Sequence, residues 1–257
     1  MKPRPLDGRA IVVTRPERQA GGLAGLIEAA GGRALLYPAI AIEPVRTAHL
    51  DLLLRALGEY DLAIFISRNA AEQGLARATE LDTGRAWPSV AALGSGTRKA
   101  LEAGGLQGVM APEGPADSEA LLRLPAFGKV AGKRILIFRG TGGRELLASA
   151  LRARGATVDY AECYRRTAPA TDVRPLIEAW SRGEVHGVAI SSGEGLRNFA
   201  GLLGDPAMEK VRATPVFVPH PRVAGEARGL GIREVIEAGS ADDEVLGALV
   251  AYFGRAG

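Results

Sequence analysis

Nine residues of similar chemistry stand at similar places in the chain. Arg15, Ser67, Arg68, Thr97, Arg139, Ser191, Ser192, His220 and Arg222 each come at the close of a short apolar run. Together these types suit the holding of oxyanions. Guanidinium forks pair with carboxylates, and hydroxyls at a helix start sit beside free backbone N–H groups. Serine and threonine there also act simply as N-caps, a reading that leaves the arginines unexplained. Gly140-Thr141-Gly142-Gly143 adds a loop through which backbone can approach a ligand closely. Many modest contacts without a phosphate-binding loop fit an extended, polyanionic ligand. His220, in Pro219-His220-Pro221-Arg222, has no partner carboxylate in view, and a lone histidine is more often structural than an acid–base group. His49 and His186 fall on predicted surface elements and carry no functional weight. Tyr164 sits in an extended segment, where its hydroxyl either faces a cleft or packs against a sheet.

Other chemistries are excluded by what is missing. No GxxxxGK[ST] occurs, and the turn after the first strand, Thr14-Arg15-Pro16-Glu17, holds no glycine. Gly94-Ser95-Gly96 lacks the third glycine of a dinucleotide fingerprint. No GxSxG precedes a suitable acid and histidine. Three scattered histidines and one cysteine, Cys163, assemble no zinc cluster from neighbouring residues. The single thiol also points to a reducing compartment. The formal charge is +3, from 32 basic and 29 acidic residues without runs of one sign, so no nucleic-acid partner is expected. Neither a signal peptide nor 18 consecutive apolar residues occurs, and a soluble, cytoplasmic protein without a membrane partner is expected.

The elements that must position these residues alternate. Ala10–Val13, Leu62–Ile66, Ile135–Phe138, Val188–Ile190 and Val216–Val218 are nearly continuous apolar runs, as in parallel strands buried on both faces. Between them, Leu and Ala recur at helical spacing over 22–30 and 144–154, and these helices stop at Gly31 and Gly155. The rhythm predicts an α/β fold with parallel sheets flanked by helices. The chain also repeats at an offset of about 125 residues. Val13-Thr14-Arg15 aligns with Ile137-Phe138-Arg139, and Ile64–Ser67 with Ala189–Ser192. Ala116–Leu121 aligns with Ala241–Leu246, where a polar cap is expected to open a helix in both copies. Two similar halves, with a cleft between them, follow as the expectation. Leu36–Pro44 and Tyr160–Thr167 break the rhythm at equivalent places and read as extended crossings.

An ordered set of motifs resembles the bacterial uroporphyrinogen-III synthase family. It comprises Val13-Thr14-Arg15-Pro16, Phe65-Ile66-Ser67-Arg68-Asn69-Ala70, Leu93–Thr97, Phe138–Leu147, Cys163-Tyr164-Arg165-Arg166 and His220–Ala224. Ile66 stands where the family usually has threonine, and Ser191-Ser192-Gly193-Glu194 varies a Thr-Ser pattern; backbone contacts would survive both changes. The resemblance implies two α/β domains joined by a two-stranded linker. One is discontinuous (1–37 with 167–257), the other spans 44–159, and the linkers are 38–43 and 160–166. It further implies closure of linear hydroxymethylbilane, which carries eight carboxylates, into uroporphyrinogen III. Water is lost and the last ring inverts through a spiro intermediate, with no metal or organic cofactor. Tyr164 then matches the family's linker tyrosine and is the expected general acid. Its phenol stays protonated at neutral pH, and Arg165 or Arg166, if close, would make it a better acid. A monomer in transient contact with the enzyme that supplies its substrate is expected. The competing reading is a two-domain protein that binds an anionic metabolite without chemistry.

Overall fold

The computed structural model describes residues 4–254 apart from Thr83, Arg85, Pro115, Ala116 and Arg144. Ala116 of the repeat and Arg144 of the glycine-loop motif therefore lie outside the described residues. The chain opens with β1 (Ala10–Val13), α1 (Glu17–Ala29), β2 (Arg33–Leu36), β3 (Ala41–Pro44) and α2 (Ala48–Arg55). It continues with β4 (Leu62–Phe65), α3 (Arg68–Glu80), β5 (Ser89–Ala92), α4 (Ser95–Ala103) and α5 (Ser118–Leu122). Next come β6 (Arg134–Gly140), α6 (Leu146–Ala153), β7 (Thr157–Thr167) and α7 (Arg174–Ser181). It closes with β8 (Gly187–Ala189), α8 (Gly193–Arg212), β9 (Val216–Val218), α9 (Pro221–Gly229), β10 (Val235–Glu237) and α10 (Asp242–Phe253). Two compact units result: unit 1 is Met1–Ala41 with Thr167–Gly257, and unit 2 is Ile42–Arg166.

Each unit holds one five-stranded sheet, ordered β10-β9-β8-β1-β2 in unit 1 and β3-β7-β6-β4-β5 in unit 2. In unit 1 every pairing is parallel, and in unit 2 so are β7-β6, β6-β4 and β4-β5. Continuous apolar strands follow from this, because helices cover both faces. Val12, Val188 and Val216 enter one core cluster of unit 1, while Ile11, Val13, Ala189 and Phe217 enter the other. Unit 2 divides the same way, with Phe65, Leu136 and Phe138 on one face and Ile64, Ile135 and Ile137 on the other. Gly31 and Gly155 follow α1 and α6 at φ +92° and +86°, as the helix stops require.

The repeat is visible in the topology. The pairings Ala10↔Arg33 and Arg134↔Thr157 make β1-β2 equivalent to β6-β7, and Ile11↔Gly187 with Leu62↔Ile135 makes β8 equivalent to β4. A parallel bridge from Ala91 to Met110 takes the place of β10 beside β5. The pieces are exchanged. Each sheet takes its β-α-β from one repeat and its remaining strands from the other. The helix cap expected in both copies is present in only one. Asp117 accepts the Ala120 N–H at 2.7 Å, whereas α10 has Ala241 at its N-cap and uses Glu244 to accept the Ser240 and Ala241 N–H groups. Asp242 is diverted to Arg15 instead.

Candidate active site

The carboxyl end of the unit 2 sheet is organised around Tyr164. Glu162 pairs with Arg139, but the next β6 residue, Gly140, pairs with Tyr164, so β7 carries one extra residue there. Such a bulge re-aims the side chains around it. Cys163 and Tyr164 are consequently both buried although adjacent. The Cys163 thiol donates to the Arg139 and Ala70 carbonyls at 3.4 and 3.6 Å. Burial pushes its pKa up to about 12, so it packs and is no nucleophile. The Tyr164 ring lies on Gly140, where a Cβ would stand 2.8 Å from Cζ. Glycine here is thus a demand of the tyrosine.

The Tyr164 hydroxyl is 3.1 Å from Ser67 Oγ, and Arg166 Nη2 donates to it at 3.4 Å. Ser67 caps α3 directly after β4, its Oγ accepting the Ala70 N–H at 3.1 Å. By sequence alone Arg165 and Arg166 are equal candidates to meet the phenol. Residues i and i+2 of a strand share a face, which places Arg166 with Tyr164; Arg165 turns to Glu43 at 2.7 Å.

Arg139 is not open to a ligand. Its side chain is 3% exposed, and it donates to the carbonyls of Gly140 and Gly142 and pairs with Glu145 at 2.9 Å. It also stacks 4.5 Å over the Tyr160 ring, whose hydroxyl donates to Glu145 at 2.5 Å. Those two hydrogen bonds hold the Glu145 carboxyl below its ordinary range. Gly142 donates its N–H to Glu162 at 3.1 Å. Arg139 therefore shapes the Gly140–Gly143 loop from inside, a role the sequence reading did not give it. Arg68 is exposed and pairs with Glu72 at 2.8 Å. Thr97 is buried in the first turn of α4, past the strand end where the sequence reading put it.

In unit 1 the same edge has a different character. Thr14, missed by the sequence reading, is fully buried and donates to the Ala189 carbonyl at 2.8 Å, tying β1 to β8. Arg15 donates to the Ser240 carbonyl at 2.8 Å and pairs with Asp242 at 2.5 Å. Ser192 caps α8, accepting the Gly195 N–H at 3.0 Å, with Ser191 beside it half-buried. His220 is exposed at the N-cap of α9 and makes no side-chain cap. Arg222, in the first turn of α9 rather than at the strand end, is exposed and shares Glu226 with Arg197 at 3.3 and 2.5 Å. Among the described residues no three His, Cys, Asp or Glu side chains are grouped to hold a metal ion. No described helix is long and apolar enough to cross a membrane.

Parallel sheets whose polar residues gather at the carboxyl ends of strands define an α/β protein of the class that binds ligands there. A family model for uroporphyrinogen-III synthase HemD matches residues 22–247. The uroporphyrinogen-III synthase of Escherichia coli (strain K12) is 35% identical over 242 residues, covering 92% of this chain and 98% of that one. The Synechococcus elongatus enzyme of the same name is 30% identical over 210 residues, covering 79% and 78%. The fold is also that of the synthase from Helicobacter pylori, with a TM-score of 0.60, 14% identity and coverage of 95% and 99%. The chain belongs to the uroporphyrinogen-III synthase family.

Proposed function

We propose that the chain closes hydroxymethylbilane into uroporphyrinogen III, acting as a hydro-lyase in tetrapyrrole synthesis. The family match carries this reading, together with the hydroxyl of Tyr164 held between Ser67 and Arg166. Loss of the terminal hydroxyl as water needs a proton. The Arg166 N–H already occupies an acceptor site on the phenolic oxygen, which leaves the phenol O–H to donate. As that proton leaves, the guanidinium stabilises the charge developing on oxygen. The pyrrole nitrogen supplies the electron pair that expels water, giving an azafulvene cation. Attack by the substituted carbon of the last ring forms the spiro intermediate. Fragmentation and reclosure then invert that ring, and a final proton loss restores aromaticity.

Ring closure at the unsubstituted position needs no enzyme and gives the type I isomer. Selectivity is therefore a matter of holding the chain. Orientation contributes on the order of 7–11 kcal/mol, more than the 10²–10⁴-fold of a positioned acid. We assign carboxylate anchoring to Arg15, Arg68, His220 and Arg222, to the hydroxyls of Ser67, Thr97, Ser191 and Ser192, and to the Gly140–Gly143 backbone. Incubation with hydroxymethylbilane and no added cofactor, followed by separation of isomers, tests the reading. Type III product is expected; type I alone, at the spontaneous rate, overturns it.

A further inference from the structure

At the amino ends of the unit 1 strands, the opposite edge of that sheet from Arg15 and Ser192, lies a cavity of about 420 Å³. It is lined by Arg9, Arg33, Glu184 and His186, with glycines between them. Three adjacent strands bring these residues together: Arg9 precedes β1, Arg33 opens β2 and His186 precedes β8. Ala10 donates its N–H to His186 Nδ1 at 3.1 Å, and the backbone N–H of His186 donates to the Ala10 carbonyl at 2.9 Å. With Nδ1 accepting, the imidazole is neutral and carries its proton on Nε2. Glu184 does not balance the cations, because Arg182 holds it at two points, 2.7 and 3.2 Å. Arg33 reaches Glu184 only at 3.6 Å. Arg9 stands 5.2 Å from the Phe253 ring centroid and has no carboxylate partner among the described residues.

The repeat supplies an internal control. By strand register, Asp61 of unit 2 is the equivalent of His186, Glu59 of Glu184, Thr157 of Arg33 and Arg134 of Ala10. The backbone contact is kept: Arg134 donates its N–H to Asp61 at 2.8 Å, as Ala10 does to His186. The charge is kept at the Arg9 position, where unit 2 has Lys133, and changed at the others. In unit 2 the Arg134 guanidinium is consumed by Glu59 at 2.7 Å, and Asp61 adds a second carboxylate. Unit 1 has replaced that carboxylate with an imidazole and the threonine with an arginine. The scaffold needs neither change, so the surplus of cations calls for another explanation.

We propose that this edge of unit 1 binds a phosphate group, carried on a small monoester or free. Two guanidiniums and an imidazole N–H suit a dianionic, three-oxygen group. The cavity is larger than phosphate alone, which favours the ester. Burial first, then Arg9 and Arg33, lower the pKa of His186, against a hydrogen bond to the Glu184 backbone that raises it. A bound dianion would raise it again.

The test follows the His186 ring resonances of the full chain by NMR during titration with inorganic phosphate and, separately, glycerol 3-phosphate. Saturable shifts of His186 and a raised titration midpoint are expected, with His49 unmoved. Tighter binding of the ester supports the monoester, and equal binding assigns the site to free phosphate. Arg33→Gln, at an exposed position, should weaken binding about tenfold or more, as befits a lost charge-assisted hydrogen bond. His186→Asp, which installs the unit 2 residue and keeps an acceptor for Ala10, should abolish binding, read for this variant by calorimetry. No response of His186 to either probe, or affinity unchanged in both folded variants, overturns the proposal.

Discussion

The strand-end edges of the two units are built from equivalent strands and work differently. In unit 2, the polar groups hold one another: Arg139 is buried in its own loop, and Tyr164 rests on Gly140 with its hydroxyl fixed by Ser67 and Arg166. In unit 1, Arg222 stays at the rim and Arg15 is half-buried, each tied to a half-buried carboxylate. A buried, mutually bonded cluster fixes geometry. Rim cations bind a flexible anion with little precision and can exchange partners, because exposed ion pairs are worth only about 0–1 kcal/mol. On our reading, positioning therefore resides in the Tyr164 cluster of unit 2, while the anchoring groups of unit 1 act only by binding.

The sharpest break of that contrast is Tyr164→Phe, which keeps the ring on Gly140 and removes the hydroxyl. Turnover should fall roughly 10- to 1,000-fold with product still mostly type III, measured by rate and isomer ratio. Unchanged turnover would leave Tyr164 as packing. Gly140→Ala should come next. Its Cβ must displace the Tyr164 ring, at a cost of about 1–3 kcal/mol of stability and about a tenfold loss of turnover, read from denaturant melts and kinetics. Arg222→Ala and Arg15→Ala should weaken substrate binding by about 1–3 kcal/mol each, raising KM with kcat nearly unchanged. A collapse of kcat in either would move positioning into unit 1.

The smallest expected effect is on alkaline stability. Tyr60 in unit 2 and Tyr252 in unit 1 each have a pKa raised from 10.0 to about 12, by burial first and then by a hydrogen-bonded carboxylate. Burial raises Cys163 of unit 2 from 9.0 to about 12. Between about pH 9 and 12 the native chain holds protons that the unfolded chain has released, so stability falls as pH rises through that window. Tyr37 of unit 1 and Tyr160 of unit 2 are raised as well, each by burial first; unit 2, with three such groups against two, should lose protection from hydrogen exchange at lower pH than unit 1.

Much of this was legible in the sequence, for local reasons. Val12 and Ile64 sit in runs without a polar face, and Gly31 ends a helix by its own conformational freedom. The N-caps Ser67 and Ser192 act on the next turn of their own helices. What stayed hidden is non-local. The inward aim of Arg139 depends on Glu145 and Tyr160, one on a loop and one on a strand. The diversion of Asp242 to Arg15 joins residues from opposite ends of the chain. The bulge beside Cys163 is invisible until β6 supplies the partner register. His186 read as a surface residue because its charge meaning appears only against Asp61.

The exchange of β-α-β pieces also sets an order for synthesis. Unit 2 is one continuous stretch, so its sheet is complete once β7 is made. Unit 1 is not, because β1 is an interior strand whose other neighbour, the central β8, comes far later; Thr14 and Ala189, joined by a hydrogen bond, are 175 residues apart. Until then the apolar β1–α1–β2 segment must wait with one strand edge unpaired, a state prone to wrong association. The finished unit 2 shortens that wait, because β3 and β7, which lead into and out of it, pair side by side and bring the two parts of unit 1 to one place. A chain halted after Arg166 therefore carries one finished sheet and one orphaned pair of strands.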